Sequence, residues 1–366
     1  MTNTSTRIEW TEASWNPVTG CTPVSAGCDN CYADAIATRF AGTPAFPNGF
    51  TLTLRPERLT DPLRWRTPRR VFVNSMSDLF HHAVPDHYIA DVFAVMALAR
   101  QHTYQLLTKR HARMRSLLSR PGFLRQVAEA ASELIGSGVR TKGMGTGWTA
   151  TPGPHGNIWT PPWPLPNVWV GVSVENQHWA DIRVPALLDT PAAIRWLSCE
   201  PLLGPIELRP DWLRPIPGCA FANPADGLCA HPQAVTPECH RFSDCPPSPN
   251  TYRGIDWMVV GGESGPAARP MHPFWAWSLR DQCESVSVPF FFKQWGTWAP
   301  LAPSRGNPGA TLVLLLPDGT RYLRANGQPE PPTVAYMARY GKTRAGRLLD
   351  SRTWDQYPTD CDGDRP

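Results

Sequence analysis

Short, nearly continuous apolar runs recur along the chain, separated by helical or irregular stretches. They cover residues 71–78, 104–110, 168–175, 194–204, 255–265 and 288–296. Such runs are typical of strands that are covered on both faces, as in parallel sheets. Helical apolar spacing lies between several of them, at residues 88–101, 111–119 and 274–284. The alternation predicts an α/β fold with a parallel sheet that forms all or part of a β/α barrel.

Two stretches interrupt this alternation, and the composition changes again near residue 300. Residues 136–166 are rich in Gly, Pro and Trp and predict a long loop or lid. Residues 209–253 are rich in Pro and Cys and predict an insertion. We therefore expect a barrel over residues 1–300 and a C-terminal extension over 301–366. In that extension, residues 311–323 predict a hairpin with a Pro-Asp-Gly-Thr turn, and the end predicts a tail packed on the barrel.

Each predicted strand ends in polar or charged residues. They are Asn74, Ser75 and Asp78; Thr108, Lys109 and Arg110; Ser173 and Glu175; Cys199 and Glu200; Glu263 and Ser264; Lys293 and Gln294. In β/α barrels the active site lies at the carboxyl ends of the strands. For a single strand, polar residues that merely lead into a loop are the simpler explanation. Six such strand ends together favour a functional edge.

The composition points to a loop-rich globular protein in a reducing compartment. The 41 prolines among 366 residues are about twice average usage, while 42% of residues are hydrophobic and can form a large core. The net charge of +4 says little about partners. The N-terminal residues include no apolar signal-peptide core, and no run of about 18 apolar residues predicts a membrane span. Ten cysteines in this setting predict a cytoplasmic protein that uses thiols as metal ligands.

Three cysteines lie close together near the start of the chain, in the sequence GCTPVSAGCDNCYA. They are Cys21, Cys28 and Cys31, and they precede a predicted helix at Tyr32–Arg39. A cubane iron–sulfur cluster on three thiolates keeps one iron free for a substrate or cofactor. A structural zinc site would normally require a fourth ligand. The cysteines themselves leave a [4Fe-4S] cluster, zinc with a distant fourth ligand, and unligated thiols as the interpretations; the resemblance described next favours the cluster.

Taken together, the motifs resemble a family. The three-cysteine motif, the strand VFVNSMSDLFH, and the segments LLTKR, VGVSVE, SCEPLLG, GGESG, FFFKQWG and KTRAGRLLD resemble a phage-associated family of unknown function that has a three-cysteine motif. More distantly, the cysteines and the strand order resemble radical S-adenosylmethionine (SAM) enzymes of the spore photoproduct lyase type. Three features depart from that pattern. Six residues rather than three separate Cys21 from Cys28, and Asn30 stands where an aromatic residue normally precedes the last cysteine. The Gly-Gly-Glu motif that usually ends the second strand is replaced by Asn-Ser-Met-Ser-Asp.

The resemblance to radical-SAM enzymes implies cofactors and site residues. It implies a [4Fe-4S] cluster on the three cysteines, with SAM chelated to the fourth iron. Ser75 or Asp78 would contact the SAM amino group, and Ser173 and Glu175 would contact the ribose hydroxyls. Contacts with substrate or SAM, and catalytic roles, are assigned to Glu200, Glu263 and Lys293. For Lys293, an ion pair with Glu200 or Glu263 is an equally good expectation.

A second set of cysteines lies in the predicted insertion, with His231 and His240 nearby. The set consists of Cys219, Cys229, Cys239 and Cys245. Four cysteines in a proline-rich segment without an evident core predict a small metal-stabilised module. Zinc is the first choice for its metal, and a second iron–sulfur cluster or unligated thiols are the alternatives.

Basic residues suggest nucleic acid, or a nucleotide-derived substrate, as the partner. Residues 54–70 carry six arginines against one Glu and one Asp, and Lys109, Arg110, Arg113 and Arg115 follow. Together they could contact phosphates, and loop tryptophans could stack on bases. The leading hypothesis is an iron–sulfur enzyme of phage DNA modification or repair, with or without a partner protein. A metal-stabilised nucleic-acid-binding protein is one alternative. The other is a metal-dependent nuclease or hydrolase that uses Asp78, Glu175, Glu200 and Glu263.

Overall fold

The computed structural model describes residues 6, 8–138, 145–154, 156–213, 254–302, 311–323 and 330–358. The strands are β1 Ala13–Trp15, β2 Val18–Thr19, β3 Thr53–Leu54, β4 Arg70–Val73, β5 Thr103–Thr108, β6 Thr149–Gly153, β7 Gly156–Thr160, β8 Val168–Ser173, β9 Ile194–Cys199, β10 Trp257–Gly261, β11 Phe290–Gln294, β12 Trp298–Pro300, β13 Leu312–Leu315 and β14 Ala335–Arg339. The α-helices are α1 Tyr32–Arg39, α2 Asp61–Arg64, α3 Asp86–Leu98, α4 His111–Leu118, α5 Pro121–Gly136, α6 Gln177–Leu188, α7 Pro210–Leu213, α8 Pro273–Glu284 and α9 Lys342–Ala345.

A seven-stranded parallel sheet forms the body of the protein. Its order is β1-β4-β5-β8-β9-β10-β11, and every neighbouring pair is parallel. Neighbours in the sheet follow one another along the chain, and right-handed crossovers then place the helices on one side. This is the winding of a β/α barrel, so the predicted α/β fold with a partial parallel barrel is confirmed. The six apolar runs correspond to β4, β5, β8, β9, β10 and β11, whereas β1, α5 and α6 were not predicted.

The two faces of the sheet bury different side chains, as the period of two along a strand requires. On β4, Val71 and Val73 point into the core beneath the helices, while Phe72 points to the inner face. That inner face is aromatic and is formed largely by Trp10, Phe72, Trp169, Trp196, Trp257 and Phe291. Trp10 lies 4.7 Å from Phe72 and 5.2 Å from Trp196, measured between ring centroids. The barrel interior is thus filled by rings, and polar side chains collect at the carboxyl ends of the strands.

The described part of residues 136–166 includes an antiparallel hairpin of β6 and β7 that packs on α5. The backbone N–H of Trp159 donates to the Ser132 hydroxyl of α5 at 2.8 Å. The predicted long loop therefore contains regular structure that contacts the helical layer, and its role as a lid stays a prediction.

The C-terminal extension consists of a small sheet and a returning tail. Strands β12, β14 and β13 form an antiparallel sheet in that order. The predicted turn at Pro317–Thr320 is present, and Gly319 N–H donates to the Leu316 carbonyl at 2.9 Å. The tail then runs along β11, where Phe292 N–H donates to the Trp354 carbonyl at 2.9 Å. Tyr357 of this tail stacks on Trp257 and so closes the aromatic inner face.

The cysteine-rich segment can be replaced by a short linker to test whether the fold needs it. This is possible because a backbone hydrogen bond joins the described residues on either side of the segment. Trp212 and Leu213 are buried in the core, and the Trp212 carbonyl accepts from Ile255 N–H at 2.8 Å. The chain therefore leaves and re-enters the body at one place. Cys219, Cys229, Cys239 and Cys245 lie outside the described residues.

We expect a short Gly-Ser linker in place of residues 214–253 to preserve the barrel, since a loop whose ends already meet is readily shortened. Cooperative thermal unfolding and circular dichroism measure this. Any zinc bound by the full chain should disappear, while iron on Cys21, Cys28 and Cys31 should remain. Loss of cooperative unfolding in the shortened chain would show that the segment is part of the core.

Among the described residues, none of the helices has both the length and the apolar character of a membrane span.

Candidate functional site: a cysteine loop at the carboxyl edge of the sheet

The three cysteines lie on one connected segment, residues 21–31, which we call the cysteine loop. Cys21 follows β2, Cys28 ends a short 3-10 helix at Ala26–Cys28, and Cys31 is the N-cap residue of α1. All three thiols are free and half-buried. Contacts from four strand ends hold this loop against the carboxyl edge of the sheet.

The first set of contacts, from the ends of β4 and β5, holds the Cys21 end of the loop. Arg110 donates to the carbonyl and the hydroxyl of Thr22 at 3.0 and 2.8 Å, and His81 Nε2 lies 2.9 Å from the same hydroxyl. Burial, followed by the positive charge of Arg110, lowers the pKa of His81 to about 4, so the ring is neutral at pH 7. Burial and the Asp78 carboxylate raise the pKa of Cys21 to about 11. A metal would have to displace the proton of that thiol.

The second set of contacts is centred on Glu175, at the end of β8. Its carboxylate is fully buried and accepts from the Ser25 hydroxyl at 2.8 Å. Lys109 and Arg183 each approach it to 2.9 Å. Burial alone would raise the pKa of Glu175, but these two cations hold it below its ordinary value. The glycine at position 27 is required here, because a Cβ atom would overlap the Glu175 carboxylate.

The third set of contacts comes from Glu263 and Arg269, after β10. The Arg269 guanidinium donates to Glu263, to the Ala26 carbonyl at 2.8 Å and to Asp29 at 3.1 Å. Asn30, between the last two cysteines, donates to Glu263 at 3.0 Å. Burial opposes ionisation of Glu263, yet the hydrogen bonds from Arg269 keep its pKa below the ordinary value. Both ends of the Ala26–Asn30 segment are thus tied to one ion pair.

Glu200 and Lys293 form a separate pair at the same edge. Lys293 Nζ lies 2.7 and 2.9 Å from the two carboxylate oxygens of Glu200, and both side chains are partly buried. The ion pair expected for Lys293 therefore exists, with Glu200 as its partner. Gln294 also donates to Glu200, at 3.3 Å. None of the loop contacts described above involves this pair.

Tyr32, directly after Cys31, contacts the segment that follows β4. The residue is 50% exposed, and its hydroxyl donates to the Ser75 carbonyl at 2.6 Å. This hydrogen bond ties the start of α1 to the carboxyl edge of the sheet.

The remaining predicted residues lie at the same edge in supporting positions. Asp78 accepts from the Thr108 hydroxyl at 2.7 Å and from Lys109 N–H at 3.0 Å. The Ser75 hydroxyl lies 3.3 Å from the Asn16 amide. Ser173 is buried, and its carbonyl accepts from Arg183 at 2.8 Å. The structure thus brings the predicted strand-end residues together, although Asp78 and Glu175 already have several protein partners.

The predicted basic surface is divided. The stretch over residues 54–70 ends at Arg70, which pairs with Thr103 at the start of β5, while Lys109 and Arg110 follow its end. Arg55 is buried and donates to Thr19 at 3.2 Å. The first stretch therefore begins beside the cysteine loop, where Arg55 contacts Thr19, and ends at the opposite end of the sheet.

The side chains that could bind zinc, another divalent ion or an iron–sulfur cluster are those of His, Cys, Asp and Glu. Within the described ranges, no three His, Cys, Asp or Glu side chains converge closely enough to hold a single ion. In a cubane cluster each thiolate binds a different iron. The three free thiols of the cysteine loop are ligands of the chemical type that such a cluster takes.

The fold and the site define a partial β/α barrel with a cysteine loop at its carboxyl edge. The chain belongs to the family described as "Protein of unknown function (DUF5131)", whose sequence profile matches residues 5–358. None of the curated proteins matches the sequence. Among solved structures, "Spore photoproduct lyase complexed with dinucleoside spore photoproduct" is similar with a TM-score of 0.29 and 10% identity. The match covers 54% of this chain and 47% of that chain, so this chain spans about half of that protein's length.

Several site residues were not predicted from the sequence. They are Ser25, Asn30, Tyr32, Arg183 and Arg269. Arg269 follows the Gly-Gly-Glu-Ser-Gly segment, and a cation just beyond a strand-end carboxylate is a signal that could have identified it. Arg183 lies inside α6, where no local pattern distinguishes it from a solvated helical arginine.

Proposed function

We propose that this protein is a radical-SAM-type iron–sulfur enzyme. The observation that supports the proposal best is the loop of three free cysteines, held by charged side chains at the carboxyl edge of a parallel partial barrel. In β/α barrels that edge carries the active site. Three thiolates provide one ligand fewer than a cubane has irons, and the free iron is the position at which SAM would be held.

Cys21, Cys28 and Cys31 would hold the cluster. When bound, the reduced cluster would supply the one electron that cleaves the sulfonium of SAM. The chain's own residues position this loop: Arg110 and His81 at its start, Glu175 beneath Ser25, and Arg269 at the Ala26–Asn30 segment. The tightly packed aromatic interior excludes water from below the edge.

Glu200 and Lys293 would act at the open edge, on SAM or on substrate. Their ion pair keeps a carboxylate and an ammonium group close together at the edge of the sheet that carries the cysteine loop. Such a pair can orient a polar ligand, because the carboxylate accepts hydrogen bonds from it and the ammonium group donates hydrogen bonds to it. Glu263 is engaged by Arg269 and Asn30, and it therefore acts through the loop in this proposal.

The substrate class we infer is nucleic acid or a nucleotide-derived compound. What supports it in the structure is a row of exposed apolar side chains on α1 and its C-cap residue, beginning next to Cys31. Tyr32, Ile36 and Phe40 are 50%, 39% and 47% exposed and follow one another at intervals of four residues. The two aromatic rings of this row, Tyr32 and Phe40, are flat groups of the kind that stack on bases without regard to sequence.

The test is anaerobic reconstitution followed by incubation with SAM and a strong reductant. We expect the wild-type chain to release 5′-deoxyadenosine and the Cys31→Ala variant to release none. Lys293→Gln should retain its iron and lose about 100-fold or more of the turnover, the effect typical of removing a positioned charged group. Liquid chromatography with mass spectrometry quantifies the product. A wild-type chain that holds its cluster and binds nucleic acid, but never cleaves SAM, would instead identify a non-catalytic binding protein.

A further inference from the structure

Arg269 makes an unusual set of contacts for an arginine that follows a strand. It donates to both carboxylate oxygens of Glu263, with distances of 2.9 Å from Nε and 2.6 Å from Nη2. It also reaches the Ala26 carbonyl at 2.8 Å and the Asp29 carboxylate at 3.1 Å. One guanidinium therefore joins the end of β10 to two points of the cysteine loop.

Glu263 completes the arrangement from the strand side. Besides Arg269, it accepts from the Asn30 amide at 3.0 Å, and it accepts the Arg269 backbone N–H at 2.7 Å. Ala26, Asp29 and Asn30 surround Cys28 in the sequence, and Asn30 directly precedes Cys31. The backbone that carries these two cysteines is therefore held by side chains rather than by a sheet or a long helix.

We propose that Arg269 is a positioning residue that preorganises the Cys28–Cys31 segment for metal uptake. The planar guanidinium presents several donors in a fixed arrangement, which suits simultaneous contact with a carboxylate, a carbonyl and a second carboxylate. Without it, Ala26 and Asp29 lose their contacts with the barrel, and Glu263 becomes a partly buried carboxylate with one remaining side-chain donor. The segment would then open more often while the barrel stays folded. The inference rests on the proposed function in so far as the loop binds a cluster.

Arg280 provides a matched control. Like Arg269 it is a partly buried arginine with several carboxylate partners, namely Asp281, Glu284 and Asp350. It lies on α8, and these three ion-pair partners all lie outside the cysteine loop. Arg280→Ala should therefore lower the free energy of unfolding without changing the conformation of the cysteine loop.

The experiment is thiol labelling of the full-length, metal-free chain with iodoacetamide under native conditions, read at each cysteine by peptide mass spectrometry. We expect Arg269→Ala to raise the labelling rate of Cys28 and Cys31 by about tenfold relative to wild type, since charge-assisted hydrogen bonds are lost. The buried Cys199 and Cys283 report global opening and should label no faster. Arg269→Lys keeps the charge but not the planar fork, so its rate should fall between those of wild type and Arg269→Ala.

Equal labelling of Cys28 and Cys31 in Arg269→Ala and Arg280→Ala would overturn the inference, as would a parallel rise at Cys199 and Cys283. If Arg269→Ala does not fold, the same comparison is made with Arg269→Lys. Because labelling is done without metal, it can succeed even if the wild-type chain never binds iron or cleaves SAM. That combination would remove the proposed function and keep the positioning role. Normal SAM cleavage by the wild-type chain, together with labelling that Arg269→Ala does not change, would keep the proposed function and remove the positioning role.

Discussion

Substitution of Cys31 by alanine is expected to abolish cluster loading. The wild-type chain, reconstituted without oxygen, should bind about four irons and four sulfides and show the broad visible absorption of a cubane cluster. Removing one of three thiolates leaves two protein ligands, too few to retain the cluster during gel filtration. Iron and sulfide counts per chain, with the absorption spectrum, measure the loss.

Cys283→Ala is the matched control for this experiment. Cys283 is a free thiol that is fully buried in the core beneath the helices, so its loss affects packing and not metal binding. We expect this variant to unfold at a lower temperature and to keep its iron. Cys245→Ala should likewise keep the loop iron. A colourless wild-type chain with one zinc on the three loop cysteines would remove the cluster hypothesis.

Substitution of Glu175 by alanine is expected to cause a very large loss of stability. Glu175 is buried between Lys109 and Arg183, and Arg183 is itself fully buried. Removing the carboxylate leaves two uncompensated cations, which costs about 3–5 kcal/mol for a buried pair. It also deprives Ser25 of its acceptor and so releases the start of the Ser25–Cys28 segment. The free energy of unfolding from denaturant titration measures the first effect, and iron content measures the second.

An exposed ion pair serves as the comparison for Glu175. Glu129 pairs with Arg125 one helical turn away on α5, and Glu129→Ala should cost about 0.3–0.5 kcal/mol. A loss of similar size in both variants would contradict the buried role of Glu175.

The pH dependence of stability follows from the same contacts. The pKa of Glu175 is held below its ordinary value of 4.5 in the folded protein. Its contribution is therefore present above that value and is lost as the pH falls through the lowered folded pKa. Glu175→Gln should flatten the decline of stability on acidification below about pH 4.5.

The sequence predicted the strands well because their environment is simple. A strand covered on both faces must be apolar at nearly every position, so β8 and β10 are visible as continuous runs. The same reasoning missed α6, which is interrupted by Pro185 and carries a buried arginine. It also predicted a long loop or lid over residues 136–166 and not the β6–β7 hairpin, because composition alone does not tell against which element a segment packs.

For the cysteine loop, too, the sequence predicted some features and left others to the tertiary structure. The residue types and the short spacing of Cys21, Cys28 and Cys31 were sufficient to identify a candidate ligand set, since ligand chemistry depends on the side chains themselves. The predicted roles of the carboxylates were less specific. The resemblance assigned Glu175 to the SAM ribose, and Glu200 and Glu263 to substrate or SAM, whereas the structure gives each of them a different protein partner.

The apolar periodicity of this chain, by itself, determined the parallel sheet and the edge at which polar residues gather, because both depend on local spacing along the strands. Only the tertiary structure decided which charged side chains support the cysteine loop and which pair remains at the open edge. Arg269 meets Asp29 across 240 residues of chain, and Ser25 meets Glu175 across 150. Contacts over such separations are made by the folded barrel, and no local sequence pattern encodes them.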